Sequence, residues 1–438
     1  MELDLSKIKN VHFVGIGGIG ISAIARMMLS YGKNVTGQDM QEGQVVDSLR
    51  ILGAKITVGQ SYENIPSDTD LIVYTLSITT FDSGFFAKIK SKTSKIPAMS
   101  YPEMLGFVTK EKYTIAVSGT HGKTTTTAMI AKILMGTNKD PSVIVGSLLK
   151  ETKSNLVIGQ SEFFVVEACE YKRAFLNLKP KILVITNIEE DHLDYYKDLN
   201  DIESAFAEIL NQTDDFVVCD PKNNSVANVL KKKHKARVVD YTKYLEKVPK
   251  LAVPGIHNRT DAAAALVVAD ILGIKEEDAQ KSIAQFSGTW RRLEKRGETK
   301  AGTIIYDDYA HHPTEIRASL EALRELYPAG KKKIIVVFQP HLYSRTKTLF
   351  NDFAKCFKDA DEIYLLPIFF AREEKDESVS SEKLASAICL AGDKAKAFAD
   401  FGSAESFMKE LNLGENDIFV TMGAGEAYKI ADEVFHLA

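Results

Sequence analysis

The 438-residue chain carries 55 Lys and Arg against 59 Asp and Glu, a formal net charge of −4, with 45% hydrophobic residues. That length holds about two to four domains, three being the central expectation, and the near-neutral balance without a long basic run excludes an electrostatic nucleic-acid footprint. Four scattered cysteines (Cys169, Cys219, Cys356, Cys389) exclude a disulfide framework, and neither the polar opening MELDLSKIKN nor any apolar run supplies a signal peptide or a membrane helix, so a cytoplasmic protein without membrane insertion is expected.

Short β-branched runs alternate with amphipathic helical segments along the whole chain, the pattern of parallel α/β sheets. VHFVG (11–15), NVTGQD (34–39), KITVG (55–59), LIVYT (71–75) and IPAMS (96–100) read as the strands of one Rossmann-like unit, residues 1–108. The pattern restarts with YTIAVSG (113–119), a helix over 122–135, FFVVEA (163–168), KILVITNI (181–188) and DFVVCD (215–220). Within this block KKKH (231–234) reads as a solvated helix end, and DAAAALVVADILGI (261–274) as a closing helix. GTWRRLEKRGETKAG (288–302) turns polar and glycine-containing, as a linker would. The central domain is therefore set at 109–296 and a last one at 297–438, with strands TIIYDDY (303–309), KKIIVVFQP (332–340), DEIYLLPIF (361–369) and DIFVTMGAG (417–425). The fold class expected is α/β in three successive domains.

Two glycine-rich turns carry the chemistry. VHFVGIGGIG runs a strand into a tight turn and a helix, where Gly17, Gly18 and Gly20 let backbone N–H groups approach a diphosphate at a helix N-terminus. Asp39 ends the next strand, the position of the ribose-binding acid in dinucleotide folds. On residues 1–40 alone an NAD-dependent oxidoreductase fits, because the turn recognises only a pyrophosphate on a ribonucleoside.

The second turn, VSGTHGKTTT, is two residues shorter than the P-loop pattern G-x-x-x-x-G-K-[S/T]. Mechanically it has every part: a hydrophobic strand, small residues at Gly119, Thr120, His121 and Gly122, Lys123 for phosphate oxygens and the Thr124 hydroxyl for Mg²⁺. Thr125, Thr126 and Thr127 are poor helix-interior residues, which predicts polar contacts at the helix start. A metal on Thr124 needs further ligands, and Glu167 and His192 sit at the ends of successive strands in the same block.

GTHGKTTT, VVEACE, TNIEEDHLD, His257-Asn258, DDYAHHPTEI and FQPHLYSRT, in this order, resemble the Mur ligases, and the resemblance runs through all three expected domains. It implies an N-terminal Rossmann-like UDP-binding domain, a central P-loop-type ATPase domain and a C-terminal Rossmann-like domain that receives an amino acid. The activity implied is ATP-dependent ligation of L-alanine to the lactyl carboxylate of UDP-N-acetylmuramic acid through an acyl phosphate. By resemblance Gly17, Gly18, Ile19, Gly20, Asp39, Ser77 and Glu170 bind the UDP-sugar. Gly119 to Thr125 hold the triphosphate, while Asn187, Asn258 and Asp308 bind the rest of ATP. Lys123, His192, His341, Arg345 and Arg292 act in catalysis, and Tyr309, His311, His341 and Arg345 surround the amino acid. Thr124 and Glu167 hold one Mg²⁺ and His192 a second, with Mn²⁺ as the alternative ion. A monomer or weak homodimer is expected. The third domain must close over ATP, because Asp308, His341 and Arg345 lie on a different block from Lys123.

The chain departs from relatives at Cys169, where another branch has an aspartate, and at Leu342-Tyr343, where others have Arg-Phe. Three other readings stay open: a ligase of the same superfamily that attaches a preformed tripeptide, the oxidoreductase, and a catalytically silent nucleotide-binding module.

Overall fold

In NVHFV every residue after Asn10 is buried, and a strand apolar on both faces needs cover on both faces. It is the middle strand of the first sheet in the computed structural model, which describes residues 3–92, 96–370 and 373–436. Strands β1 (Asn10–Val14), β2 (Asn34–Asp39), β3 (Lys55–Val58), β4 (Leu71–Tyr74) and β5 (Ala98–Ser100) run parallel in the order β3-β2-β1-β4-β5. All five fall where the sequence predicts strands.

The second sheet contains β6 (Tyr113–Ser118), β7 (Ser142–Leu149), β8 (Ser154–Val157), β9 (Phe163–Glu167), β10 (Ile182–Ile185), β11 (Phe216–Cys219) and β12 (Arg237–Asp240), ordered β12-β11-β10-β6-β9-β7-β8. All pairs are parallel except β7 with β8. Strands β7, β8 and β12 lie outside the expected set. β12 is a short, largely exposed sheet edge, and β7 carries a glycine in its middle; both weaken the strand signal.

The third sheet has β13 (Glu294–Glu298), β14 (Ile304–Asp308), β15 (Lys333–Phe338), β16 (Glu362–Leu365), β17 (Ala395–Ala397) and β18 (Asp417–Met422), ordered β13-β14-β18-β15-β16-β17. Its first strand corrects the reading of 288–302 as linker. EKRGE pairs antiparallel with β14 across a bulge between Lys295 and Gly297, and an antiparallel edge tolerates a charged sequence because one side faces water. The closing helix of the central block starts earlier than predicted and spans Ile256–Ile271. Lys231 to Lys233 are exposed just after the helix Asn224–Leu230, as the solvated-end reading requires.

Contacts divide the chain into two compact units. One comprises 1–188, 203–241 and 264–279 and holds the first two sheets; the other comprises 189–202, 242–263 and 280–438 and holds the third. No described helix is long and apolar enough to cross a membrane.

Beneath the first sheet's apolar strands sits a neutral polar chain. His12, 1% exposed, has Nδ1 2.8 Å from Thr36 Oγ1 and Nε2 3.1 Å from the Gln38 amide nitrogen. Gln38 Oε1 accepts from Ser61 N at 2.8 Å, which turns its NH₂ toward His12 and leaves the His12 proton on Nδ1. Burial pushes this imidazole down to about 4, and His257 likewise. The unfolded chain takes up those protons near pH 6.5 and the folded one only near pH 4, so stability falls as pH drops through that window, by on the order of 2 kcal/mol for each histidine. In urea titrations from pH 7 to pH 4.5, His12→Gln should lose stability less steeply than the wild type; parallel curves would contradict the burial argument.

Candidate functional site

The first glycine turn is held from behind. Gly15 and Ile16 N–H donate to Gln38 O, and Gly17 N donates to Asp39 Oδ2 at 2.7 Å. The Asp39 carboxylate therefore braces the turn, a use that the ribose reading did not anticipate. Gly18 begins the helix Ile19–Ser30, whose N-terminus has no side-chain cap. Uncapped N–H groups and the positive end of the helix dipole are what a diphosphate binds. Ile19 and Gly20 are the first two residues of that helix, and exposed Ser77 lies in the turn after β4. From the other side, buried Asn155 of β8 donates Nδ2–H to Ser22 Oγ at 2.9 Å and to Ile19 O, so the antiparallel hairpin β7–β8 grips this helix.

The second turn is shaped by Gly119 and Gly122, both at positive φ (137° and 80°). A Cβ on Gly119 would run into Thr186 Oγ1 and come within 2.9 Å of Asn187 O, so no side chain fits there. Asn187 pins the turn on three bonds: its O accepts from Thr120 N (3.1 Å), its Oδ1 from His121 N (2.9 Å), and its Nδ2 donates to His121 O (3.1 Å). The Asn187 side chain thus ties strand β10's end to the loop. Helix Lys123–Gly136 follows, again with no side-chain cap.

Lys123 Nζ donates to Glu170 Oε1 at 2.9 Å, to Thr120 O at 3.0 Å and to Gly119 O. Burial works against its charge, but Glu170, then Cys169 and Glu167, outweigh that and raise its pKa above the ordinary lysine range. Thr124 Oγ1 donates to Glu167 Oε1 at 3.0 Å, and Gly146 N of β7 donates to Glu167 Oε2 at 2.7 Å. Thr125 remains half-buried in the first turn. Thr127 Oγ1 donates to Lys123 O at 2.8 Å, a polar contact at the helix start as the threonine run predicts, whereas Thr126 turns its hydroxyl into the core and departs from that expectation. The surrounding protein and then Glu170 push the Cys169 thiol up to about 12, which keeps it protonated at neutral pH.

In the other unit, segment 189–202 supplies Asp191 and His192. Asp191 Oδ1 accepts from Arg345 Nη2 (2.9 Å), Arg345 Nε (3.3 Å) and His192 N (2.7 Å). Burial alone would raise this carboxyl, but His192, Arg345 and His311 hold it well below the usual range. Arg345 Nη1 donates to His341 Nδ1 at 3.2 Å, which places the His341 proton on Nε2, and the His341 ring stacks on Phe369 with centroids 5.6 Å apart. His311 sits 5.9 Å from His341 and 5.4 Å from Tyr309, ring to ring. Its Nδ1 faces Tyr309 O at 2.9 Å and so carries the proton, leaving a lone pair on Nε2; burial pushes its pKa down to about 4. The adjacent histidine does something else. His312 caps the helix Pro313–Leu326, accepting from Thr314 N, and Glu315 closes the box by accepting from His312 N.

The two neighbouring arginines also separate. Arg291 is buried and structural, bound to Asp307 Oδ2 (2.7 Å), Gly423 O (2.8 Å) and Gly425 O (3.2 Å). Arg292 keeps partial exposure and lies over the Tyr309 ring at 5.2 Å. Asp308, at the end of β14, is pushed up to about 6 by burial, with Ser319 Oγ and Ala310 N as donors. Asn258 is the third residue of helix Ile256–Ile271 and not its cap; its Nδ2 donates to Pro254 O.

Lys123, Thr124, Glu167 and Glu170 fall in one unit, as the sequence reading grouped them, but His192, which that reading placed in the same block as Glu167, falls in the other with Arg345, His341, His311, Tyr309 and Arg292, because the segment after β10 leaves the second sheet's unit. It missed Asp191, although that residue stands inside the quoted TNIEEDHLD, and it missed Gly146 and Asn155, for which no strand was expected.

Three sequence profiles of one family match the chain in order: "Mur ligase family, catalytic domain" at 10–113, "Mur ligase middle domain" at 117–269 and "Mur ligase, glutamate ligase domain" at 291–425. The chain is 39% identical to the UDP-N-acetylmuramate--L-alanine ligase of Clostridium kluyveri, covering 99% of each protein, and 39% identical to that of Clostridium botulinum over the whole of both. Among solved structures it is similar to the UDP-N-acetylmuramate-alanine ligase of Thermotoga maritima, with TM-score 0.80, 27% identity and 98% of each chain covered. A murein peptide ligase from Psychrobacter arcticus shares the fold at TM-score 0.72 and 19% identity, again over 98% of each chain. The uncapped glycine turns, the Lys123–Glu170 and Thr124–Glu167 pairs, and a match from end to end carry one conclusion: the chain belongs to the Mur ligase family.

Proposed function

We propose that the protein is an ATP-dependent ligase that joins L-alanine to the lactyl carboxylate of UDP-N-acetylmuramic acid in peptidoglycan precursor synthesis. The observation that carries this is the convergence of Lys123, Thr124 and Glu167 on one uncapped helix N-terminus, in a chain 39% identical to alanine-adding relatives over its full length. The first glycine turn would hold the UDP diphosphate on the N-terminus of helix Ile19–Ser30, and the second the triphosphate of ATP.

The donor set suits a hard divalent cation. Thr124 Oγ1 and Glu167 Oε1 lie 3.0 Å apart as adjacent oxygen donors, the ligand type Mg²⁺ prefers. In this reading Thr124 and Glu167 hold one Mg²⁺ and His192 a second, with Mn²⁺ as the alternative. Bound there, a divalent ion neutralises charge on the phosphate oxygens.

A carboxylate oxygen of the sugar's lactyl group attacks the γ-phosphorus, and the bond to the bridging oxygen of ADP breaks, giving an acyl phosphate. Lys123 meets the developing charge, which requires its Nζ to leave Glu170 for the phosphates. The L-alanine amine then attacks the acyl carbon, and the single bond from that carbon to the phosphate oxygen breaks, so that inorganic phosphate departs with the bonding pair and the carbonyl re-forms as the amide. Before that attack the ammonium must lose a proton; burial keeps His311 neutral at pH 7 and makes it a weak base, so its open Nε2 would accept a hydrogen bond from the amine and orient it. Arg345 receives the alanine carboxylate, and the His341 Nε2–H and Arg292 meet charge on the tetrahedral intermediate. Asn258 and Asp308 bind the nucleoside of ATP, and Asn187 acts by holding the loop. A monomer or weak homodimer suffices for this chemistry.

Mg²⁺-dependent phosphate release from ATP with UDP-N-acetylmuramic acid should be strongest with L-alanine. Glycine and L-serine should follow by about 10- to 200-fold, since a pocket separates one methyl group by about 1–3 kcal/mol. Release only with a tripeptide would move the protein to cell-wall recycling, and release indifferent to the UDP-sugar would overturn the ligase reading.

Lys123→Ala should lower turnover by about 10²- to 10³-fold or more while leaving UDP-sugar affinity intact in calorimetry. Equal loss of sugar binding would contradict the division between the two turns. A Cβ at position 146 would stand 2.6–2.8 Å from the Glu167 carboxylate, so Gly146→Ala should raise the Mg²⁺ concentration for half-maximal activity about tenfold. An unchanged Mg²⁺ titration would remove Glu167 from the ligand set.

A further inference from the structure

Arg345 has five N–H donors in a planar fork, and that fork can meet a carboxylate along either of two edges. One oxygen of Asp191 takes the side edge, accepting from Nε at 3.3 Å and Nη2 at 2.9 Å, while His341 Nδ1 accepts from Nη1 at 3.2 Å. The pair is nearly enclosed, with side-chain exposures of 7% for Arg345 and 11% for Asp191. The two residues line one cleft together with Glu190, His192, Leu342 and Leu349. A long side chain seated this way has lost most of its rotamer freedom before any ligand arrives.

We propose that Asp191 is a positioning residue for amino-acid capture: by occupying Nε and one N–H of Nη2, while Nη1 donates to His341 Nδ1 and at 3.5 Å to His341 O, it holds the guanidinium so that the remaining Nη2 N–H is presented to the carboxylate of the incoming amino acid. This rests on the reading of Arg345 as the amino-acid carboxylate site. The opposite arrangement, in which Asp191 competes with the ligand for Arg345, makes the opposite prediction for affinity. Asp191 also touches His192 through the backbone N–H at 2.7 Å, so a role through the second metal ligand must be told apart as well.

The test separates the two half-reactions. Asp191→Asn should raise the KM for L-alanine about 10- to 100-fold. Formation of the acyl phosphate, trapped as a hydroxamate by hydroxylamine with ATP and UDP-N-acetylmuramic acid but no alanine, should stay within about twofold of wild type at every Mg²⁺ concentration. Arg345→Lys, which keeps the charge but loses the fork, should raise the same KM, and the double variant should be no worse than the poorer single one, because the two residues act as a unit. If Asp191→Asn does not fold, Asp191→Glu carries the same comparison. An unchanged or lowered KM, additive effects, or a hydroxamate rate that falls with the KM change would each overturn the proposal. The underlying reading fails separately, if wild-type protein forms hydroxamate but shows no saturable dependence on L-alanine.

Discussion

A carboxylate at the end of a buried strand must be given donors, and Glu167 is given two from different parts of the chain. Thr124 brings a hydroxyl from the start of the helix that follows the phosphate turn, and Gly146 brings a backbone N–H from β7. The geometry of the phosphate turn depends on this node: it sets the height of the helix N-terminus against the sheet, and it requires a glycine at 146 because the carboxylate lies where a Cβ would stand. The same turn sets its lysine on Glu170 and two carbonyls, so cation and anion stand as a pair instead of as two uncompensated buried charges.

The same hairpin that supplies Gly146 also reaches the first glycine turn, through Asn155 and the opening residues of helix Ile19–Ser30. One small antiparallel addition to an otherwise parallel sheet therefore reaches the helices that follow both glycine turns of its unit. In the other unit the corresponding work falls to Asp191, which gathers Arg345 and the backbone of His192 around one buried oxygen. Both nodes follow one electrostatic rule: a buried carboxylate persists where several donors meet it, and it then fixes the positions of all of them.

Much of this site is legible in the amino-acid string because phosphate chemistry constrains short segments. Gly119, Gly122, Lys123 and Thr124 are consecutive or nearly so, and strand, turn and helix around them follow from local rules. His311 and His312 show the limit. Adjacent in sequence, they separate by conformation: one caps a helix on its own backbone and the other keeps a ring nitrogen open. Arg291 and Arg292 divide in the same way, the first sealed against Asp307 and two carbonyls, the second left partly exposed. Composition and motif order do not contain that difference, since it depends on which way each side chain turns from the strand.

The strands of the first sheet, the phosphate turn and the order of the three sheets were readable from the chain, because each depends on residues close in sequence and on a period of apolar side chains. What required the folded molecule are the long-range partners: β13 recruited from a polar stretch by pairing with β14, Asp39 accepting from the backbone of the first glycine turn, Asn187 bonded to the second, and Asp191 set against a guanidinium 154 positions away. Such partners are chosen by burial and charge compensation among segments that meet only once the sheets have formed, and neither quantity exists along a linear chain.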